Sequence, residues 1–363
     1  MKKQFVNILN NGSGCTKDGS IELNTENILF IQTAFPGDAI LTLPALKKLK
    51  EFFPNSSLDV LCIPATKEIF EASPSVDNTI VIDKKDKHKS LLRTYKFVKQ
   101  LKQNNYTRIY SAHRSLRTSL IVLLLEVRET FGFDNSTLFH VYKNLVSYDS
   151  TKHEVQRNFD LVGFVYNDEN WKIVPEINSS ERSIEKVNAF INQNKLIDGF
   201  IAIAPGSVWN TKKYPSEYFE VICKYFADRK IRVVLIGGEN DRVTSEHIVS
   251  KFSGKVIDSA GKFSIVESIE LLKHSMLLLS NDSAPTHMGM CADVKVLTIY
   301  CSTIPEFGFY PYNDKSSSIG YNDLKCKPCG IHGHNLCPIK TFDCAMNLLP
   351  EQIILKAEEM LSD

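Results

Sequence analysis

The segment ILFIQTAFPGDAILTLPALKKL, residues 28–49, decides the fold class. Residues 28–31 form a short continuous apolar run, as a strand covered on both faces requires. From Ala39 onward the apolar residues recur at helical spacing, and a helix is expected over 41–53. Phe35-Pro36-Gly37-Asp38 joins the two, so one carboxylate stands at the mouth of a strand-to-helix turn. Asp38 there serves either as a helix cap or as a group placed for chemistry.

The same alternation runs along the chain. Strands are expected at 27–33, 58–63, 79–82, 108–112, 200–205, 232–237, 256–258, 277–281 and 295–300. Further helices are expected at 90–104, 116–127, 152–164, 182–194, 215–228, 241–252, 264–274, 285–292 and 350–361. Strands alternating with helices specify an α/β fold of parallel sheets covered by helices. One series ends near 165 and another starts near 198. Two Rossmann-like domains are therefore expected, facing each other across a cleft at the carboxyl ends of their strands. The predicted divisions are an N-terminal extension (1–25), a first domain (26–175), a second domain (176–349) and a C-terminal helix (350–363).

At 363 residues, 43% hydrophobic and 23% charged, the chain has the makeup of a soluble enzyme with a large core. A net charge of +1 gives no reason to expect a nucleic-acid partner. Residues 84–128 hold twelve Lys and Arg against Asp86 and Glu126. That asymmetry reads as a face that meets anions or an anionic membrane, or as a solvated helix face. The longest apolar run, 120–125, ends at Glu126 and is far too short to span a bilayer. Residues 1–22 lack the apolar core of a signal peptide, and the expected location is the cytoplasm.

Three loops that leave buried strands carry the candidate chemistry. In SNDSAPTHMG, 280–289, Pro285 suits the first turn of a helix. The amides around Ser283 and Ala284 there offer an anion site suited to a diphosphate. Asp282 and Ser283 read equally as ordinary caps. In PGSVWNTKKYP, 205–215, Gly206 allows a ligand to approach the backbone, Ser207 and Thr211 offer hydroxyls, and Lys212 and Lys213 offer cations. A lysine at such a loop tip neutralises a leaving phosphate or simply faces solvent, and Lys213 is expected to do the latter. In VVLIGGENDR, 233–242, Gly237 and Gly238 permit close approach of a ribose or base and Glu239 accepts its hydrogen bonds. The alternative is a glycine turn capped by Asn240 or Asp241. No Asp-x-Asp pair stands in these loops, so no divalent ion or other cofactor is required.

Of nine cysteines, Cys15, Cys62, Cys223, Cys291 and Cys301 are scattered and mostly in apolar contexts. Cys326, Cys329, Cys337 and Cys344 cluster with His332 and His334 between them. Their spacing admits packed thiols, a structural metal site or a disulfide, the last disfavoured in a reducing cytosol.

Taken together these loops resemble glycosyltransferase family 9, the ADP-heptose:lipopolysaccharide heptosyltransferases. The resemblance covers nearly all of the chain after residue 26. It rests on ILFIQTAFPGDAILTLPALKKLKEFFP, SLDVLCIP, SPSVDNTIVID, HRSLRTSLI, HEVQRNFDLV, APGSVWNTKKYP, LIGGENDR and SNDSAPTHMGMCADVKVLTIYCSTIPEFGFYPY, in that order. It implies the GT-B arrangement, with the acceptor on the N-terminal domain and the nucleotide-sugar donor on the C-terminal one.

The resemblance also implies residue roles. Asp38, beside Gly37, matches the proposed general base, and Lys212 the lysine near the donor phosphates. Asp282, Ser283, Ala284 and Thr286 fall on the diphosphate loop, His287 just inside its helix, and Gly237, Gly238 and Glu239 near the nucleoside. Ser207 and Thr211 join the donor set, and Arg114 and Arg117 lie where an acceptor's carboxylates or phosphates would bind. The implied reaction is transfer of heptose from ADP-heptose to an inner-core hydroxyl of lipopolysaccharide, with inversion and without a metal, at the inner face of the membrane. A different nucleotide sugar or glycan acceptor, or nucleotide-sugar binding without catalysis, are the competing readings. Ala284 replaces a common glycine but still offers its amide; Phe35 replaces a small or polar residue, which bears on the acceptor pocket, and CSTIPEFGFYPY a commoner Gly-Pro-Thr version, which bears on the sugar.

Overall fold

The computed structural model describes residues 25–362, so Cys15 and nearly all of the predicted N-terminal extension lie outside the described residues. The chain divides into two compact units. The first comprises residues up to Asp149 together with Val155–Trp171, and the second Ser150–Glu154 together with residues from Lys172 onward.

The first unit is built on a parallel sheet of β1 (Asn27–Ile31), β2 (Ser57–Cys62), β3 (Asn78–Val81), β4 (Arg108–Ser111), β5 (Glu129–Phe133) and β6 (Asn144–Val146). Its order is β3-β2-β1-β4-β5-β6. Ile28 sits between Leu58 on one side and Arg108 on the other. Its helices are α1 (Pro36–Phe52), α2 (Lys67–Glu71), α3 (Leu91–Leu101), α4 (Leu116–Leu125) and α5 (Glu154–Val162). Leu29, Ile31, Leu61, Ile109, Ile121 and Val122 make its core cluster.

The second unit repeats the plan. Its helices are α6 (Glu181–Asn194), α7 (Ser216–Asp228), α8 (Arg242–Val249), α9 (Ile265–Leu272), α10 (Ala284–Cys291), α11 (Asp343–Met346) and α12 (Pro350–Ser362). The strands are β7 (Phe200–Ala204), β8 (Val233–Leu235), β9 (Val256–Asp258), β10 (Ser275–Asn281), β11 (Val296–Tyr300) and β12 (Ser317–Gly320). The order β12-β11-β10-β7-β8-β9 is, strand for strand, that of the first sheet. In each sheet the chain reverses its winding direction beside the first strand, between β1 and β4 and between β7 and β10. Such a switch point is where α/β sheets bind ligands. The C-terminal helix α12 buries Ile353, Ile354, Ala357 and Met360 against Phe219, Ile222 and Phe226 of α7, so it belongs to this unit's core.

Two expectations change. α1 starts at Pro36, not 41, because proline at its first positions is already set for helical geometry. Phe35 therefore occupies the capping position, and Asp38 lies inside the first turn and is not the N-cap. Strands β5, β6 and β12 are additional to those expected. No helix among the described residues is long and apolar enough to cross a membrane.

Candidate active site

The second unit's site grows from the end of β10. Asn281 is fully buried and pins both ends of the 205–215 loop: its side-chain oxygen accepts the Tyr214 amide at 3.0 Å, and its Nδ2 donates to Pro205 O at 2.8 Å. Asp282 follows, with Oδ2 2.7 Å from Lys212 Nζ. The same oxygen accepts the Thr303 hydroxyl at 2.6 Å. Lys212 stands at the end of the short turn Asn210–Lys212, in the loop that follows β7. Lys213, expected in solvent, is half-buried.

Ser283 holds the N-cap position of α10, yet no side chain caps that helix. Its hydroxyl donates instead to Gly206 O and Asn281 O, at 3.4 and 3.3 Å. The cap reading of Asp282 and Ser283 therefore does not hold; one holds a lysine and the other a neighbouring loop. Ala284 and Pro285 open the helix, whose first turn carries the partial positive charge of its dipole. Thr286 Oγ1 pairs with Thr298 at 3.0 Å, inside the core. His287 is buried, and among the described residues its Nδ1 has no hydrogen-bond partner. Burial pushes this imidazole down to about 4; the nearby Lys212 adds to the shift and Asp282 opposes it.

Thr211 is buried, and its hydroxyl oxygen accepts from Ser302 Oγ at 3.0 Å and from the His334 amide at 2.8 Å. Ser207 is half-buried beside it in the same loop. Gly206 has a reason that the sequence reading missed, while Asp241 holds the turn at Gly237 and Gly238, in line with the alternative of a glycine turn closed by that residue. A Cβ on Gly206 would come 2.0 Å from Asp241 Oδ1, and one on Gly237 would come 2.7 Å from Asp241 Cβ. The carboxylate of Asp241 fills the space assigned to a ligand at Gly206, and it also accepts the Gly238 amide at 2.9 Å. Glu239 is exposed and pairs with Arg242 at 3.0 Å.

In the first unit the switch point gathers a basic set. Lys84 donates to Thr33 Oγ1 at 2.6 Å, and His113 Nδ1 lies 3.0 Å from the same hydroxyl. Burial pushes Lys84 down to about 8, with Arg117 beside it adding to the shift. Burial, then Lys84 and Arg114, push His113 down to about 4. Arg117 donates to the carbonyls of Lys84, His88 and Lys89 at 3.1–3.4 Å, so it organises the loop that carries Lys84. Arg114 stacks on the Tyr148 ring at 4.0 Å from its centroid. Asp38 and Gly37 are half-buried at the start of α1, and Phe35 before them is 55% exposed. The buried Gln32 donates to Thr42 Oγ1 at 3.0 Å, and Thr42 donates to Asp38 O at 2.8 Å, which fixes the turn. Sequence does not single out Gln32, Thr33, Lys84 and His113: Lys84 and His113 meet Thr33 only where loops leaving different strands converge, and Gln32 meets Thr42 across the turn into α1.

Cys326, Cys329 and Cys337 are half-buried free thiols and Cys344 a buried one. Among the described residues no group of three or more His, Cys, Asp or Glu side chains is set to hold a metal ion. Backbone N–H groups from Ile339 to Phe342 outweigh burial and pull the Cys337 thiol below its ordinary range.

Comparison with known proteins gives consistent results. The model of glycosyltransferase family 9 (heptosyltransferase) matches residues 94–339. Lipooligosaccharide heptosyltransferase 2 of Campylobacter jejuni (serotype O:6) is 22% identical over 331 residues, 89% of this chain and 96% of that protein. A crystal structure of a family 9 glycosyl transferase from Veillonella parvula superposes with a TM-score of 0.79 at 22% identity, covering 94% of this chain and 98% of the other. The E. coli ADP-heptose lps heptosyltransferase II superposes with a TM-score of 0.74 at 17% identity, covering 92% and 98%.

Proposed function

The chain belongs to glycosyltransferase family 9 and is a glycosyltransferase, and from that premise we propose that it transfers heptose from ADP-heptose to an inner-core hydroxyl of lipopolysaccharide. The observation that carries the reading is the Lys212–Asp282 pair, set where β10 meets α10 at the second unit's switch point. A lysine and the first amides of a helix together suit a diphosphate. The names of the relatives, heptosyltransferases one of which takes ADP-heptose, support the choice of donor.

In this reading the acceptor oxygen attacks the anomeric carbon while its proton passes to Asp38. The bond from that carbon to the β-phosphate oxygen breaks, and its electron pair leaves with ADP. Lys212 and the amides at the start of α10 take up the charge, in place of a metal. Attack opposite the leaving group inverts the anomeric centre. His287, with one buried nitrogen unpaired among the described residues, completes the donor side together with Ser207, Ser283 and Thr286. Gly237, Gly238 and Glu239 lie toward the nucleoside. Lys84, Arg114 and Arg117 supply cations for an anionic acceptor.

The reading also places the protein at the cytoplasmic membrane surface. Leu91, Leu92 and Tyr95 of α3 are 71%, 65% and 53% exposed, amid exposed Lys85, Lys87, Lys89, Arg93, Lys96 and Lys99. Exposed apolar side chains ringed by cations suit an anionic lipid interface.

Calorimetric titration with ADP-, GDP- and UDP-sugars tests the donor. ADP-heptose is expected to bind at least tenfold more tightly than GDP- or UDP-sugars, and equal affinity for all three would contradict the reading.

A further inference from the structure

We propose that residues 329–335, between the second and third clustered cysteines, form a strap that sets the position of Lys212, with Gly333 and His334 as its positioning residues. The proposal rests on the reading of Lys212 as the group that receives the leaving diphosphate.

The segment has no helix or strand of its own, and its bonds run to the lysine's loop. The His334 amide donates to Thr211 Oγ1 at 2.8 Å, and the Thr211 amide donates back to His334 O at 3.0 Å. Asn210 Nδ2 donates to Asn335 O at 3.2 Å. At the other end the Cys329 amide donates to Ser302 O at 2.9 Å, and Ser302 Oγ donates to Thr211 Oγ1 at 3.0 Å. His334 Nε2 closes the segment on itself by donating to Cys329 O at 2.6 Å. Ser302 precedes Thr303, which fixes Asp282. Both members of the ion pair are therefore held through consecutive residues after β11.

Gly333 is where the strap touches the lysine. A Cβ there would lie 3.0 Å from Thr211 Oγ1 and 3.2 Å from both Lys212 Cγ and Ser302 Oγ. Gly333 has φ +76 and Gly330, three residues earlier, φ +111, but a Cβ on Gly330 meets nothing within 4 Å. Alanine at either position meets backbone strain; only at 333 does it press on the Lys212 loop.

The test compares Gly333→Ala with Gly330→Ala, following ADP release from ADP-heptose with an inner-core acceptor. Gly333→Ala is expected to lower kcat about tenfold or more, with donor KM within about threefold, because misplacing the lysine acts on charge that develops in the transition state. Gly330→Ala, strained but without a contact on the Lys212 loop, is expected to lose at least about threefold less kcat than Gly333→Ala. Equal kcat in the two variants overturns the strap. If Gly333→Ala does not fold, Thr211→Val and Thr211→Ser decide. Valine is expected to lose kcat and serine to restore it, and valine as active as serine overturns the proposal. Lys212→Met runs alongside. Parent-like kcat there removes the premise and the strap with it. A loss in Lys212→Met beside a silent Gly333→Ala overturns the strap alone.

Discussion

Lys212 Nζ lies 2.7 Å from Asp282 Oδ2, and Thr303 holds that oxygen from another side at 2.6 Å. The two side chains are 14% and 9% exposed, so the charges are largely out of water. Removing one partner of such a pair leaves the other nearly buried and uncompensated. Lys212→Met and Asp282→Asn are each expected to destabilise the second unit by about 3 kcal/mol. The double variant should lose less than the sum of the two. Urea denaturation of the four proteins measures the coupling, and additive losses would show that the pair does not interact.

Asp241 occupies the space over Gly206 and Gly237. Gly206→Ala would put a methyl group onto its carboxylate, and a cost of about 1–3 kcal/mol is expected from the overpacking. Asp241→Ala in the Gly206→Ala background is expected to recover at least half of that loss. Thermal unfolding reads both; no recovery would mean that the backbone, not Asp241, resists the substitution.

His113 and His287 are neutral rings in the folded protein, both pushed by burial from 6.5 down to about 4. The unfolded chain takes up their protons near its ordinary pKa, and the folded chain only near 4. Between those values the unfolded state holds more protons, so stability falls as pH drops through that window. Each ring contributes at most about 1.4 kcal/mol per pH unit there. Urea midpoints taken from neutral pH down toward pH 5 should decline, and less steeply in His287→Gln. A His287→Gln slope as steep as the parent's would contradict a buried neutral His287.

The basic rim of α3 is expected to set lipid binding. Lys85, Lys87 and Lys89 are exposed and lie just before Leu91 and Leu92. Changing all three lysines to glutamate should reduce sedimentation with phosphatidylglycerol vesicles at least tenfold, at about 1 kcal/mol for each cation lost near the surface. Binding by the parent that does not depend on anionic lipid would argue against the surface.

The central strands β1, β2, β7 and β10 are legible in the sequence because burial on both faces makes them nearly unbroken apolar runs. Strands β5, β6 and β12 are not. ETFGF contains Glu129 and Gly132, NLV is three residues long, and SSIG opens on two serines. Their conformation is fixed by pairing with neighbours, as Phe131 with Asn144 and Ile319 with Ile299, which local pattern does not record. The candidate site divides in the same way. Asp282 and Ser283 stand out because they directly follow a buried strand, and Lys212 because it lies in the loop that leaves another. Thr303, Lys84, the strap at Gly333 and His334, and the approach of Asp241 to Gly206 acquire their roles only when distant loops meet. Asp38 was legible as a carboxylate at a turn, while its place inside the first helical turn followed from Pro36.

The most direct measurement of the central claim is Asp38→Asn, assayed for ADP affinity and for transfer on the same preparation. A general base contributes roughly 100- to 10,000-fold to such a step. The account predicts ADP affinity within about twofold of the parent and transfer lowered at least about 100-fold. Transfer by Asp38→Asn within about threefold of the parent would contradict it.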